Sequence, residues 1–205
     1  MTPINLSSFS RRRTLLKSVT AVLAAAALSA CNPDKPQFKS IDITGADYAK
    51  GFNLADHNGL QRSLQDFKGK VVVVFFGFTQ CPDICPTALT ELAEVKRKLG
   101  SQGDRLQGIF ITVDPERDTE EVLKAYMANF DPSFVALRPT MAQLSEVAKA
   151  FKIYYKKSEG KTATSYTMDH SAGSYVFDPA GGVRLYARSG SGSDALASDV
   201  ALLLK

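Results

Sequence analysis

The 205 residues include no tryptophan, two histidines and three cysteines. Three cysteines are too few to staple a small secreted scaffold, so an apolar core has to hold the fold together. Nowhere does an uncharged apolar run reach the roughly 20 residues that a membrane-crossing helix needs. Acidic residues are missing from residues 1–30, which carry Arg11, Arg12, Arg13 and Lys17. Without those four, 21 basic and 21 acidic residues remain and the net charge is zero. The isoelectric point near 8.9 therefore describes the beginning of the chain, and nothing in the charge asks for nucleic acid. Apolar residues at 44% and charged residues at 22% exclude a disordered, collagen-like or polytopic membrane protein. The length suits one domain preceded by an export segment.

Residues 1–30 read as that segment. A basic start is followed by Ser18-Val-Thr-Ala-Val-Leu-Ala-Ala-Ala-Ala-Leu-Ser-Ala30 and then Cys31, the pattern of a signal peptide. Leu28-Ser29-Ala30-Cys31 resembles a bacterial lipobox, which implies that Cys31 carries a diacyl lipid as the mature N-terminus. Arg12-Arg13-Thr14-Leu15-Leu16-Lys17 resembles a twin-arginine export signal, and a generic basic n-region would look much the same. Residues 31–48 are polar without a clear period and read as a lipidated tether. The domain is expected over 49–205. The expected location is the bacterial cell envelope, lipid-anchored to the membrane and facing the periplasm or the exterior.

Strands and helices alternate through that domain. Val71-Val-Val-Val-Phe-Phe76 is the continuous β-branched and aromatic run of a strand buried on both faces. Residues 52–55, 106–113 and 134–137 read as further strands, with Asn58-Gly59 as a tight turn. Leu89, Leu92 and Leu99 keep helical spacing after Pro86, and Lys and Arg residues before Gly100 close that helix. Asp118-Thr-Glu-Glu121 and Thr140-Met-Ala-Gln143 are capping boxes for helices over 119–129 and 140–151. Residues 166–168 and 174–177 look extended, and 183–187 folds back on the latter across Asp178-Pro-Ala-Gly-Gly182. Ser193 or Asp194 caps a last helix. This order gives an α/β layer fold: a central sheet, helices on both faces and a C-terminal hairpin.

Chemistry concentrates where the buried strand turns into a helix, at Thr79-Gln-Cys81-Pro-Asp-Ile-Cys85-Pro86. Residues four apart on a helix share a face, so the two sulfurs can meet. A helix N-terminus favours thiolate there. Such a pair can exchange disulfides, or it can grip a soft ion, Cu(I) above all and Cu(II) where a nitrogen joins. A closed zinc site wants four ligands, and would use every cysteine and histidine beyond Cys31. His57 sits in the turn Asp56-His-Asn-Gly59 and reads as a solvated turn residue. His170, in Thr167-Met-Asp-His-Ser171, lies in a loop between two extended segments and could swing over the cysteine helix. Asp169 could orient its ring or cap a turn. Met168 shares its side of the strand and reads as core, with a thioether ligand as the alternative. A peroxidase would want a threonine and an arginine pressed on a lone cysteine; Thr79 is two residues before Cys81, and no arginine is near in sequence.

Phe75-Phe-Gly-Phe-Thr-Gln-Cys-Pro-Asp-Ile-Cys-Pro86, Thr112-Val-Asp-Pro-Glu-Arg-Asp118 and Asp169-His170-Ser171 together resemble the SCO/SenC family. The resemblance implies a thioredoxin-like fold and a copper site, Cu(I) or Cu(II), with Cys81, Cys85 and His170 as ligands. It implies a membrane-tethered metallochaperone that assembles the copper centre of cytochrome c oxidase. Its partners would be the copper-bearing oxidase subunit and another copper carrier. Some members are thiol–disulfide reductases, in which Cys81 and Cys85 would be the catalytic redox pair. The CxxxC spacing and the missing tryptophan depart from the WCxxC of ordinary thioredoxins.

Overall fold

The computed structural model describes residues 36–160 and 165–205. Phe38–Lys205 form one compact unit. The expected leader, its arginine pair and Cys31 lie outside the described residues. Among the described residues, no helix is long and apolar enough to cross a membrane.

In chain order the strands and helices begin with Ile41–Asp42 (β1), Asn53–Asp56 (β2), Gln61–Ser63 (β3) and Val71–Gly77 (β4). They continue with Ile84–Lys98 (α1), Leu106–Thr112 (β5), Glu120–Met127 (α2), Val135–Arg138 (β6) and Met141–Ala150 (α3). Tyr155–Glu159 (β7), Tyr166–His170 (β8), Ser174–Phe177 (β9), Val183–Ala187 (β10) and Ser193–Leu203 (α4) complete the unit. Eight strands form one mixed sheet in the order β1-β10-β9-β4-β5-β6-β2-β3. β4, β5 and β6 run parallel, and the outer pairs are antiparallel. β4 and β5 are buried at every position, as central parallel strands covered on both faces should be. Phe75 packs on Phe110 and Phe76 on Phe151, at ring separations of 6.2 and 5.3 Å. The mixed sheet with its helices is the thioredoxin-like fold expected from the resemblance. The expected C-terminal hairpin is β9–β10, closed by Gly181 in a left-handed conformation (φ 88°).

Local chemistry sets the helix ends. The Thr140 hydroxyl accepts from the Gln143 N–H, and the Gln143 side chain returns to the Thr140 N–H, the expected capping box. The other expected box differs. Thr119, not Asp118, caps α2 by accepting from Val122, and Asp118 is turned inward and fully buried. Its carboxylate has hydroxyl donors beneath the cysteine loop, a better offer than one helical N–H.

Two further segments depart from the sequence reading. Residues 38–48, read as tether, belong to the compact unit. β1 pairs with β10, and the Lys39 and Ser40 N–H groups donate to the buried Asp199 carboxylate at 2.7 and 2.8 Å. No regular apolar period announces this: the backbone bonds leave no side-chain mark, and the apolar anchors Phe38, Ile43 and Tyr48 are spaced without a helix or strand repeat. β7, whose sequence is Tyr-Lys-Lys-Ser-Glu, was not expected at all. It pairs with β8 as a separate two-stranded sheet, and its side chains alternate too little in polarity to signal a strand.

Replacing Asp199 with alanine strips two backbone donors of a buried charged acceptor. The expected cost is about 2 to 3 kcal/mol, read as a lower denaturant midpoint. Fast amide exchange at Lys39 and Ser40 should accompany it.

Candidate metal centre

Cys85 owes its place to helical spacing. Cys85, Leu89, Leu92 and Val95 are the buried stripe of α1, so the first residue of that stripe points a sulfur into the core. Cys85 has no exposed surface. The backbone of Gly77, at the end of β4, lies against it: a Cβ there would meet the Cys85 Sγ at 2.8 Å and the Phe110 ring at 2.8 Å. Cys81 precedes the helix in a turn closed by its own N–H on the Phe78 carbonyl at 3.2 Å. It is half-buried, and its Sγ accepts the Cys85 N–H at 3.5 Å. A free donor of the helix N-terminus is thus spent on the sulfur.

His170 is the last residue of β8, not a loop residue as its sequence context implied. Tyr166, Met168 and His170 face inward and Thr167 and Asp169 outward, so the expected alternation holds and Met168 is part of the core. The imidazole stands edge-on to Phe75 and Phe78, at 6.2 and 5.8 Å. Its Nδ1 lies 2.9 Å from the Ser171 carbonyl oxygen. A carbonyl can only accept, so Nδ1 carries the proton and Nε2 keeps its lone pair. That lone pair faces the Cys85 Sγ at 3.6 Å. Asp169 does not orient the ring: its carboxylate accepts from the Ser158 hydroxyl at 2.6 Å on the outer face of the hairpin. Burial lowers the pKa of His170, against the smaller opposing effects of the Ser171 carbonyl and Asp169. Burial likewise pushes the Cys85 thiol up, with the Phe78 backbone hydrogen bond opposing it. Without a metal the contact joins a neutral thiol to a neutral imidazole.

The loops beneath the pair come from the C-terminal ends of two parallel neighbours, β4 and β5, which puts residues 78–81 beside residues 113–118. Asp118 accepts from the Thr79 hydroxyl at 2.6 Å, the Thr79 N–H at 3.1 Å and the Thr112 hydroxyl at 2.5 Å. The Thr79 hydroxyl is therefore spent on Asp118. Asp114 is buried and paired with Arg117, and it accepts the Tyr166 hydroxyl at 2.8 Å. Burial, with that bond to Asp114, pushes the Tyr166 phenol up to about 12. Arg117, Gln80 and Tyr166 escaped the sequence reading because their meeting joins positions 37 and 49 residues apart. His57 differs from its expected role as a solvated turn residue. Its Nδ1 accepts the Ala136 N–H at 3.0 Å, and its own N–H donates to the Ala136 carbonyl, so the ring replaces a strand partner at the edge of β6.

The donor atoms of Cys81, Cys85 and His170 all lie within 4.8 Å of one another. Two sulfurs and one neutral imidazole suit copper: thiolates favour Cu(I), and the imidazole accommodates Cu(II). Three donors with the Nε2 lone pair already inward need deprotonation of sulfur only. They do not complete the four-ligand shell of a structural zinc site.

The SCO1/SenC family profile matches residues 42–205. The SCO2-like protein of Rickettsia felis is 36% identical over 157 residues, covering 75% of this chain and 77% of that protein. Among solved structures, Bradyrhizobium japonicum ScoI with copper bound is 38% identical, with a TM-score of 0.68, covering 75% of this chain and 97% of that one. The structure of BsSco is 25% identical with a TM-score of 0.62, covering 82% of this chain and 99% of that one. BsSco is described as a member of the Sco family of cytochrome c oxidase assembly proteins that has a disulfide switch.

Unequal exposure and the raised Cys85 thiol give the two sulfurs unequal reactivity. In the reduced, metal-free domain at pH 8, iodoacetamide should alkylate Cys81 at least about tenfold faster than Cys85. Peptide mass spectrometry over time checks this; equal rates would show that Cys85 is not held in the core.

Proposed function

The chain belongs to the SCO1/SenC family, and from that premise we propose that it is a copper metallochaperone serving the assembly of cytochrome c oxidase. Cys81, Cys85 and His170 are its copper ligands. The approach of the His170 Nε2 to the Cys85 sulfur carries this reading, since it adds a neutral nitrogen donor to the two sulfurs within bonding reach of one ion. Bound copper would supply the positive charge that makes two thiolates stable in this partly buried place. Both thiols give up their protons on loading, and His170 gives up none. Cys81, the more exposed sulfur, is the one that a cysteine of the copper-bearing oxidase subunit reaches first, and transfer proceeds by ligand exchange. Another copper carrier loads the site in the same way.

The bound copper of the similar Bradyrhizobium japonicum structure supports the ligand reading. Titration of the reduced domain should give one copper per chain. Cys81→Ala and Cys85→Ala should abolish binding of both oxidation states. His170→Ala should weaken Cu(II) at least about tenfold while sparing Cu(I), for which two thiolates suffice. If His170→Ala keeps both affinities, the three-ligand site is wrong.

A second reading rests on the adjacency of two reduced sulfurs and on the disulfide switch of BsSco. The Cys81 thiolate would attack a partner disulfide and form a mixed disulfide, expelling one partner sulfur as thiolate. Cys85 would then attack the Cys81 sulfur, closing the Cys81–Cys85 bond and releasing the second partner thiol. Two electrons pass to the partner. Cys85→Ser should trap that mixed disulfide, and His170→Ala should leave this chemistry intact.

The leader supports an address for this work. We propose that residues 1–30 are removed, that Cys31 is lipidated, and that a short tether holds the domain at the outer side of a bacterial membrane. Cys31→Ser should shift the protein from the membrane to the soluble envelope fraction; continued membrane association without the thiol would refute the anchor.

A further inference from the structure

We propose that Arg117 is a positioning residue that fixes His170 over the cysteine pair by bridging the cysteine loop to the β7–β8 hairpin. The proposal deepens the copper reading above and rests on it only for its metal readout.

The need for a bridge follows from topology. β7 and β8 pair with each other and with no strand of the eight-stranded sheet. The end of β8 is tied to the sheet by residues 171–173, which lead into β9 and its pairing of Ser174 with Phe75 of β4. The rest of the hairpin has no ladder to the sheet, so side chains must hold it against the cysteine loop, and Arg117 is placed to do so. Its Nη1 donates to the Gln80 side-chain oxygen at 3.0 Å, one residue before Cys81. The same nitrogen donates to the Tyr166 carbonyl at 2.9 Å, at the start of β8. Its guanidinium lies 3.5 Å from the centre of the Tyr166 ring. Its Nε pairs with Asp114, whose other oxygen takes the Tyr166 hydroxyl. Tyr166 is thus gripped by carbonyl, ring and hydroxyl, and it shares the inward face of β8 with His170.

The remaining nitrogen, Nη2, is buried without a hydrogen-bond partner. A planar cation stacked on a ring at this depth is held by the stacking as well as by its hydrogen bonds. The ion pair to Asp114 uses Nε and both bridging bonds use Nη1, so lysine, with one nitrogen and no plane to stack on the Tyr166 ring, could not hold Asp114 and the bridge together. Lys157 also reaches the Tyr166 ring, at 3.8 Å, and pairs with Glu116 at the surface. Lys157 and Glu116 are both exposed, so Arg117, paired with the buried Asp114, is the stronger tie.

The test compares Arg117→Met, Arg117→Lys and Gln80→Ala in the full domain. In the metal-free protein, Arg117→Met and Arg117→Lys should both speed amide exchange along the β7–β8 ladder at least about tenfold and spare the β4–β5 ladder. The His170 ring protons should lose the ring-current shifts imposed by Phe75 and Phe78. With copper, both variants should weaken Cu(II) by about 10- to 100-fold and leave Cu(I) unchanged. Gln80→Ala keeps Arg117 on Tyr166 and frees only the cysteine loop. Its hairpin should stay protected while its Cu(II)-to-Cu(I) affinity ratio falls in the same direction.

Wild-type exchange and ring-proton shifts in Arg117→Met would overturn the proposal, as would equal acceleration in hairpin and core. Full rescue by Arg117→Lys would overturn the bridging role of the fork. If Arg117→Met does not fold, Gln80→Ala decides, and an unchanged ratio there overturns the bridge. If the wild type binds no copper yet the exchange and ring-proton shifts respond as expected, the copper reading fails and the positioning role stands.

Discussion

A sulfur on the buried stripe of a helix has few choices, and the site grows from that constraint. Cys85 continues the row of Leu89, Leu92 and Val95, so α1 cannot pack on the sheet without carrying the thiol inward. Once there, it is costly to ionise, and the end of β4 must leave room for it, which only a residue without a Cβ does. His170 meets this sulfur with a lone pair. A metal ion is what reconciles two sulfurs, one imidazole and a dry surrounding, because it replaces the protons that burial favours with a charge that the thiolates can neutralise.

The elements that place the sulfurs are local in sequence, and so they were readable. Four consecutive valines announce β4, helical spacing announces α1, and the two cysteines sit at the junction. The partner histidine was legible as a chemical type, but its approach rested on resemblance to a family. Nothing between Cys85 and His170 encodes their distance in a local pattern. β7 was missed because Lys156 and Lys157 hide a strand whose ladder is satisfied by β8 alone. The start of the domain was misjudged for a related reason. Residues 39 and 40 are bound by their backbone N–H groups to one distant carboxylate, and backbone bonding leaves no mark on side-chain pattern.

Buried acids illustrate how the same residue type takes different work from its surroundings. Asp118 is surrounded by hydroxyl and backbone donors, without a cation, and burial raises its pKa even so. It ties the loop after β4 to β5, a structural task under the cysteines. Asp114, four residues earlier in the same turn, has a guanidinium and a phenol. It ties the turn to the hairpin instead. Arg138 from β6 pins that turn from below, donating to the carbonyls of Asp118 and Pro115 at 2.9 Å each. The two acids look alike in the sequence Asp114-Pro-Glu-Arg-Asp118, and only the neighbours across the sheet separate their roles.

The separation between two sulfurs at the start of α1 and a histidine on a hairpin outside the main sheet has a chemical sense. Cu(I) is satisfied by two thiolates, while Cu(II) asks for the additional nitrogen. A fold that held both would gain from what is seen here: one sulfur on the core stripe of α1, and the imidazole on a hairpin outside the main sheet. Small displacements of the hairpin then alter the third ligand without disturbing the first two. Had β8 been hydrogen-bonded into the eight-stranded sheet, the histidine would be as fixed as the sulfurs, and releasing the metal would require breaking a ladder. Here side-chain contacts that converge on Arg117 hold the hairpin, and one of them is made to Gln80, the residue that precedes the first cysteine. A partner docking on the cysteine loop would therefore press on the same network that holds the histidine.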